Sequence, residues 1–365
     1  MIKDVIKRNK DVEDVLYASC KYGIHKYGKS NIEKLLSILV VSDVHQCVLQ
    51  LKSAIKYLNH YDAIDLGMNL GDMQARNYAE TNGKWYKNAI NKCNKPFLTV
   101  LGNHDVGNST DKKVSATADQ AFNKFIKAAI HKADAGLVEK PYYSKRMDDY
   151  KVEFIVLNNY DNPNDIDDCG NFMVSRGETC FSQNQVDWFI NELLNVPKEY
   201  GVIICLHDFP CAVNIIECGW SQTDAVTADD TQNMLCDIVN AWINGEDFYA
   251  EYLQGGNKLT KVKVNCVFSK RGKGDFISYF SGHRHQDIIA ESEKYPEQKV
   301  IYFPAMAMDE WQNFCSDLPR VKGTKTEDVF TVVSVNRETR ELRLVRIGSY
   351  ITSSLIERKY FVVKY

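Results

Sequence analysis

None of the eleven cysteines belongs to a C-x-x-C pair, and their number is odd. This argues against a zinc ribbon and against a disulfide framework. Several sit inside apolar runs, such as Cys205 in GVIICLH and Cys266 in VNCVF, so the sequence predicts buried, reduced thiols. Long apolar runs are also missing. The amino-terminal stretch MIKDVIKRNKDVEDVLYASC lacks the apolar centre of a secretory signal, and LLSILVV, the longest early run, is far too short to cross a bilayer. A cytosolic location with no membrane partner is the expectation. Charge of one sign is not in excess either: 45 basic against 48 acidic residues leave a net charge of -3, which offers no general attraction to nucleic acid or acidic membranes. The mildly basic segments Met1 to Leu36 and Leu318 to Tyr365 have acids interspersed and are expected to be solvated faces. Internal repeats and low-complexity segments are absent.

The 365 residues are compatible with two domains or with one large α/β domain carrying insertions. Residues 1–34 are expected to form a helical extension, with Val5, Val12, Leu16 and Tyr17 loosely at helical spacing. From residue 35 to 365 one domain is expected. Strand-like and helical runs alternate in LLSILVV, a helix over Gln46 to Leu58, AIDLGMN, a helix near Asn82 to Ile90, and PFLTVLG. Such alternation predicts a sheet with helices on its faces. A helical stretch around Ala116 to His131, the strand EFIVLN, a helix from Gln185 to Leu194 capped by Ser182, and the strand GVIICL follow. Residues 211–273 contain one apolar-periodic helix, TQNMLCDIVNAWI, and are taken as an insertion beside the site. DFISYFSGHRH returns to the strand-and-turn pattern, and KVIYFP, DVFTVVSV, ELRLVRI and YFVVK predict a strand-rich end.

Five of the eight histidines lie in short polar clusters at the ends of apolar runs: VVSDVHQ (Asp43, His45), LGNHD (Asn103, His104), CLHDFP (His207) and SGHRHQD (His283, His285), with NLGDMQ adding Asp72. In LGNHD, Gly102 is expected to let the chain leave its strand through backbone angles closed to other residues. Strands of one sheet bring their ends together, so clusters distant in sequence can converge. His25, His60 and His131 match no motif and are expected on the surface or in the core. Imidazole nitrogens with carboxylate and amide oxygens, and no thiolate, suit Mn, Fe, Zn, Co or Ni. Seven such groups exceed what one ion needs. They would serve two ions roughly 3.5 to 4 Å apart that share a carboxylate, an arrangement suited to activating water for phosphoryl displacement.

The ordered series DVH, GD, GNHD, H and GHRH resembles the calcineurin-like metallophosphoesterase superfamily over roughly Leu35 to Pro304. The resemblance implies an α/β fold with a central β-sandwich flanked by helices, in four αββα layers. It also implies that Asp43, His45, Asp72 and His285 hold one divalent ion, that Asp72, Asn103, His207 and His283 hold a second, and that His104 is the catalytic histidine facing the leaving group. Asp105 and Asp208, each beside a motif residue, are candidates for holding their neighbours in place. One position departs from the pattern: Ala75 in GDMQAR stands where the family's serine/threonine phosphatases carry an Asp that orients the catalytic histidine. Arg76 matches the arginine that follows that Asp and is a candidate phosphate clamp, as is Arg284 in GHRH.

The expected activity is hydrolysis of a small phosphoester by water, with two divalent ions as cofactors. The retained His45 and the missing phosphatase-type Asp favour a phosphodiesterase acting on a nucleotide or a glycerol-phosphate-like ester. A phosphomonoesterase is the alternative. A second alternative is a phage or prophage particle protein binding or cleaving a surface phosphopolymer, suggested by the likeness of TEDVFTVVSVNRETRELRLVRIGSY to the closing segments of some phage-encoded metallophosphoesterases. No motif indicates an oligomeric state.

Overall fold

The structure, a computed structural model, describes residues 5–10, 35–74, 83–107, 115–127, 139–173, 177–218, 233–254, 260–307, 320–349, 352–353, 356–357 and 360–365. Its strands in chain order are β1 (Leu36–Val41), β2 (Leu66–Asn69), β3 (Phe97–Thr99), β4 (Tyr143–Met147), β5 (Val152–Val156), β6 (Gly201–Cys205), β7 (Val213–Cys218), β8 (Asp247–Gln254) and β9 (Thr260–Val267). They continue with β10 (Asp275–Ser281), β11 (Ile288–Ser292), β12 (Lys299–Tyr302), β13 (Val329–Asn336), β14 (Glu341–Gly348), the short β15 (Thr352–Ser353) and β16 (Ile356–Glu357), and β17 (Tyr360–Lys364).

Two sheets result. The first has six strands in the order β17-β14-β13-β1-β2-β3, and the second has seven in the order β4-β5-β6-β10-β12-β11-β7. In the first, β1, β2 and β3 run parallel; in the second, β5, β6, β10 and β12 do. Strand β6 shows how the sheets are covered. It is buried throughout, and its side chains alternate in direction, as a pleated strand requires. Ile203 and Cys205 join Ile38, Val332, Leu344 and Phe280 in one apolar core, whereas Val202 and Ile204 join Phe189 and Trp242 in another. The first fills the space between the sheets and continues on the other face of the six-stranded sheet. The second lies under helices on the outer face of the seven-stranded sheet.

Four helices complete the layers. On the six-stranded sheet, α1 (Val48–His60) buries Leu51, Ala54, Ile55 and Leu58 in the same apolar cluster as strand β1, the i, i+3, i+4, i+7 stripe of an amphipathic helix, and α2 (Lys84–Ile90) packs beside it. On the other sheet lie α4 (Gln183–Asn195) and α5 (Met234–Asn244), joined where Trp242 Nε1 donates to Leu193 O at 2.9 Å. A single helical turn, α3 (Asn103–Val106), follows β3. Ser182 caps α4 as expected, accepting from Gln185 N. The α/β sandwich flanked by helices is the expected fold.

Of the expected amino-terminal helix, Val5–Arg8 is helical and residues 11–34 lie outside the described residues. Of the stretch expected to be helical around Ala116 to His131, Ala118–Ala121 and the π-helical turn Phe122–Ile126 are described; His131 is not. Residues 211–273 place β7 at the edge of the seven-stranded sheet, α5 on its outer face and the β8–β9 hairpin against α4. The expectation of uniformly reduced cysteines is corrected at one pair: Cys211 and Cys236 are disulfide-bonded. They come from the loop after β6 and from α5, so no local spacing announces the pair. Cys205 and Cys266 are buried, reduced thiols, as expected. Among the described residues no helix is long and apolar enough to cross a membrane.

Candidate metal centre

The carboxyl ends of the parallel strands β1, β2, β3, β6 and β10 meet along one rim of the sandwich, where open α/β sheets place their ligands. The loops there are stitched together by backbone bonds. Asp43 N donates to Gly71 O, His45 N to Asp72 O, Gly282 N to His207 O and Ala307 N to Asp43 O, all at 2.8 to 3.1 Å. Asp43, His45, Asp72, His283 and His285 all have left-handed backbone, with φ between 41° and 65°. Such residues are uncommon and cost energy, so five around one point mark a place where side-chain direction outweighs backbone comfort.

Glycines in the same loops make room. A Cβ on Gly102 would lie 2.1 Å from Asp72 Oδ1, and one on Gly282 would lie 2.0 Å from Ser42 Oγ. Gly102 itself is extended (φ -107°, ψ 172°), a conformation open to any residue. The expectation that it supplies special backbone angles is therefore wrong; it is glycine because the Asp72 carboxylate occupies the space of a side chain.

All seven expected ligands are brought together. One ligand atom each from Asp43, His45, Asp72 and His285 lies within 4.8 Å of the others. Asp72 Oδ2 is 3.2 Å from His207 Nε2, and Asn103 Oδ1 is 3.1 Å from both His207 Nε2 and His283 Nδ1. Four of the groups, His45, His207, Asp43 and Asp72, are held by their far side. His45 Nδ1 donates to Gln74 O and His207 Nδ1 to Leu70 O, both at 2.7 Å, which turns each Nε2 inward. Asp43 Oδ2 accepts from Ser42 Oγ at 2.5 Å and from His283 N at 3.1 Å, and Asp72 Oδ1 accepts from His104 N at 2.9 Å.

The inward oxygens, Asp43 Oδ1 and Asp72 Oδ2, are buried and make no hydrogen bond of proper geometry, although His285 Nε2 and His207 Nε2 stand 3.1 and 3.2 Å from them. Orphaned carboxylate oxygens facing imidazole nitrogens, with no thiolate among them, fit divalent transition-metal ions.

Charge in the metal-free cluster follows from burial and proximity. Burial raises the Asp43 and Asp72 carboxyls, but the imidazoles of His285 and His207 beside Asp43, and of His207 and His104 beside Asp72, outweigh it and hold both below the ordinary range. Burial lowers His207, yet Asp72 and Asp43 push it up to about 10; His285 is raised by Asp43 in the same way. At His45 and His283 burial prevails and the imidazoles are lowered.

His104 sits at the rim, its side chain 23% exposed and its Nε2 3.9 Å from Asp72 Oδ2. Its ring meets that of His45 edge-on at 4.9 Å. Asp105 is buried, and its two oxygens accept from Gly102 N at 2.9 Å and Gln74 N at 3.1 Å; burial and then Asp72 push its carboxyl up to about 8. It braces two ligand loops. Asp208 lies with Oδ2 3.7 Å from His283 Nε2, on the ring edge opposite Asn103. Arg284 lies beside the buried Tyr302, where its positive charge opposes the upward push of burial on the phenol. Ala75 and Arg76 lie outside the described residues, as does His25, while His60 is exposed at the end of α1.

Sequence reasoning missed Ser42 and the polar run after β5. Asn159 Nδ2 donates to Asp208 O at 2.7 Å, and the buried Tyr160 ring lies 6.1 Å from that of His207. LNNYDN, like the other clusters, is a polar run after an apolar strand; without a histidine it drew no notice.

Residues 36–287 match the family model described as calcineurin-like phosphoesterase. No curated protein matches. Similar solved structures include the purple acid phosphatase PPD1 from yellow lupin (Lupinus luteus), 10% identical, TM-score 0.45, covering 91% of this chain and 54% of its own. They also include TT1561 of Thermus thermophilus, 8% identical, TM-score 0.43, covering 86% and 99%. A third is the phosphopantetheinyl hydrolase PptH from Mycobacterium tuberculosis, 12% identical, TM-score 0.38, covering 74% and 89%. The chain thus spans about half of the lupin enzyme's length.

Proposed function

Because the chain belongs to the calcineurin-like phosphoesterase family, a family of phosphoric ester hydrolases with a dinuclear divalent metal centre, we propose that it hydrolyses a phosphodiester, of a nucleotide or of a glycerol-phosphate type. The observation that carries the hydrolytic reading is the meeting of seven ligand-type side chains from five strand ends around two inward, unbonded carboxylate oxygens. Asp43, His45, Asp72 and His285 would hold one ion; Asp72, Asn103, His207 and His283 would hold the other. Bound there, the ions supply a water acidic enough to ionise near neutral pH and positive charge for the phosphoryl oxygens.

The chain's own groups do the rest. The backbone carbonyls of Gln74 and Leu70 fix His45 and His207 with Nε2 inward, and the Asp43 and Asp72 carboxylates stay ionised at neutral pH. His104, partly exposed at the rim, gives a proton from its ring to the departing alkoxide. Water attacks phosphorus, the bond from phosphorus to the alcohol oxygen breaks, and no side chain carries the phosphoryl group.

Two features support a diester. His45 is built into the cluster, and Ala75 stands where the family's serine/threonine phosphatases carry an Asp. The test is hydrolysis of bis- and mono-p-nitrophenyl phosphate and a nucleotide panel by chelator-treated protein given Mn, Zn, Fe, Co or Mg. Faster turnover of bis-p-nitrophenyl phosphate is expected. Turnover of monoesters alone would replace the diester reading with the monoester one, and no turnover with any metal would remove the hydrolytic reading.

A further inference from the structure

Arg346 on β14 is the only arginine or lysine among the described residues to be fully buried. Its Nε and Nη2 donate to the two carboxylate oxygens of Asp287, and its Nη1 donates to Thr331 Oγ1. The rings of Phe303 and Phe361 flank the guanidinium at 5.8 and 5.7 Å. Asp287, 8% exposed, lies two residues after His285, in the loop joining β10 to β11. The pair therefore crosses from the six-stranded sheet to the ligand loop of the seven-stranded one. Arg346 lies beyond residues 36–287, which carry the family match.

We propose that Arg346 is a positioning residue for the metal centre. Through Asp287 it anchors the loop that presents His283 and His285. Both histidines have left-handed backbone (φ 65° and 55°), which a chain keeps only where its surroundings over-determine it. The loop is held at its start, where Gly282 N donates to His207 O at 2.8 Å, and in its middle, where His283 N donates to Asp43 Oδ2 at 3.1 Å. At its far end the bidentate pair with Arg346 fixes Asp287 in both position and orientation. Stability alone is a poor reason for such a pair, because a buried ion pair is often no more stabilising than apolar residues of similar volume. A rigid direction for two ligands gives it a reason. The strand-rich end thereby becomes part of the site without touching substrate.

The inference rests on the reading of His283 and His285 as ligands, and the experiment separates the two. Chelator-stripped wild type, the double variant Arg346→Met with Asp287→Leu, Arg346→Lys and His285→Ala are compared by Mn titration calorimetry, with thermal unfolding of each metal-free protein. The double variant removes both charges and keeps apolar volume. It is expected to unfold at or above the wild-type midpoint and yet to bind Mn about 10 to 100-fold more weakly, the range for residues that orient ligands. Arg346→Lys keeps the charge but loses the fork, and is expected to weaken Mn binding about tenfold. Wild-type Mn affinity in a folded double variant would overturn the proposal. If the double variant fails to fold, wild-type affinity in Arg346→Lys would overturn it instead. Unchanged affinity in His285→Ala would show that the ligand reading, rather than the positioning role, is at fault.

Discussion

The Nε2 atoms of His45 and His285, 240 residues apart in the chain, face each other at 3.3 Å. His45 Nδ1 donates to Gln74 O, so the neutral His45 ring points a lone pair at its partner, and the contact holds only if a proton or a cation lies between. In the metal-free protein His285 is raised by Asp43, and His207 is pushed up to about 10 from an ordinary 6.5. Binding a cation must expel these protons. Mn binding at pH 7.5, followed by calorimetry in buffers of different ionisation enthalpy, is therefore expected to release at least about one proton per chain, with affinity rising as pH rises toward 10. Binding without proton release would contradict this protonation pattern.

The same shift bears on stability. A histidine raised on folding stabilises the metal-free fold fully below its unfolded value, here 6.5, and loses that contribution as pH rises through the folded value of about 10. Denaturant midpoints of metal-free protein are expected to fall between these limits, and His207→Gln is expected to flatten the fall. An equal slope in both proteins would remove His207 as its source.

His104→Ala tests the proton donor. Alkyl esters need their leaving group protonated far more than p-nitrophenyl esters do. The variant is expected to lose about 10²-fold or more on an alkyl phosphodiester and much less on the p-nitrophenyl one, with metal content unchanged. Equal losses on both, or loss of metal, would assign His104 another role.

The fold was legible in the sequence where structure is local. Apolar runs marked β1, β2, β3, β6 and β10, and the polar residues after each run include the seven side chains that meet in the cluster. Pairings set by distant segments were not legible. Strand β1 sits between β2 and β13, with Leu36 opposite Val335, and no short-range pattern encodes that register. Arg346 looked like one more exposed charge in ELRLVRI, because its burial depends on Asp287 arriving from the other sheet. The reason for Gly102 was hidden in the same way: a glycine needed for space and a glycine needed for its backbone angles have the same letter.

Gly102→Ala distinguishes those two reasons. The backbone there tolerates alanine, but the new Cβ would meet Asp72 Oδ1 at 2.1 Å and Asp72 N at 2.4 Å, so the carboxylate and its loop must move. The variant is expected to fold and to bind metal at least about tenfold more weakly, as displaced ligands do. Wild-type affinity would show that the Asp72 loop yields without cost.

Asp208→Asn removes the carboxylate 3.7 Å from His283 Nε2. If that charge orients the ring and strengthens it as a ligand, one of the two ions is expected to bind about 10 to 100-fold more weakly while the other is unaffected. Mn titration resolves the two sites, and two unchanged constants would leave Asp208 without this role.

The central claim is that one carboxylate, Asp72, serves two ions. Elemental analysis after Mn loading and gel filtration tests it most directly. About two Mn per chain are expected in the intact protein and fewer than one in Asp72→Ala, since neither half of the cluster is complete without its Oδ2. One Mn per chain in a fully active protein would contradict it.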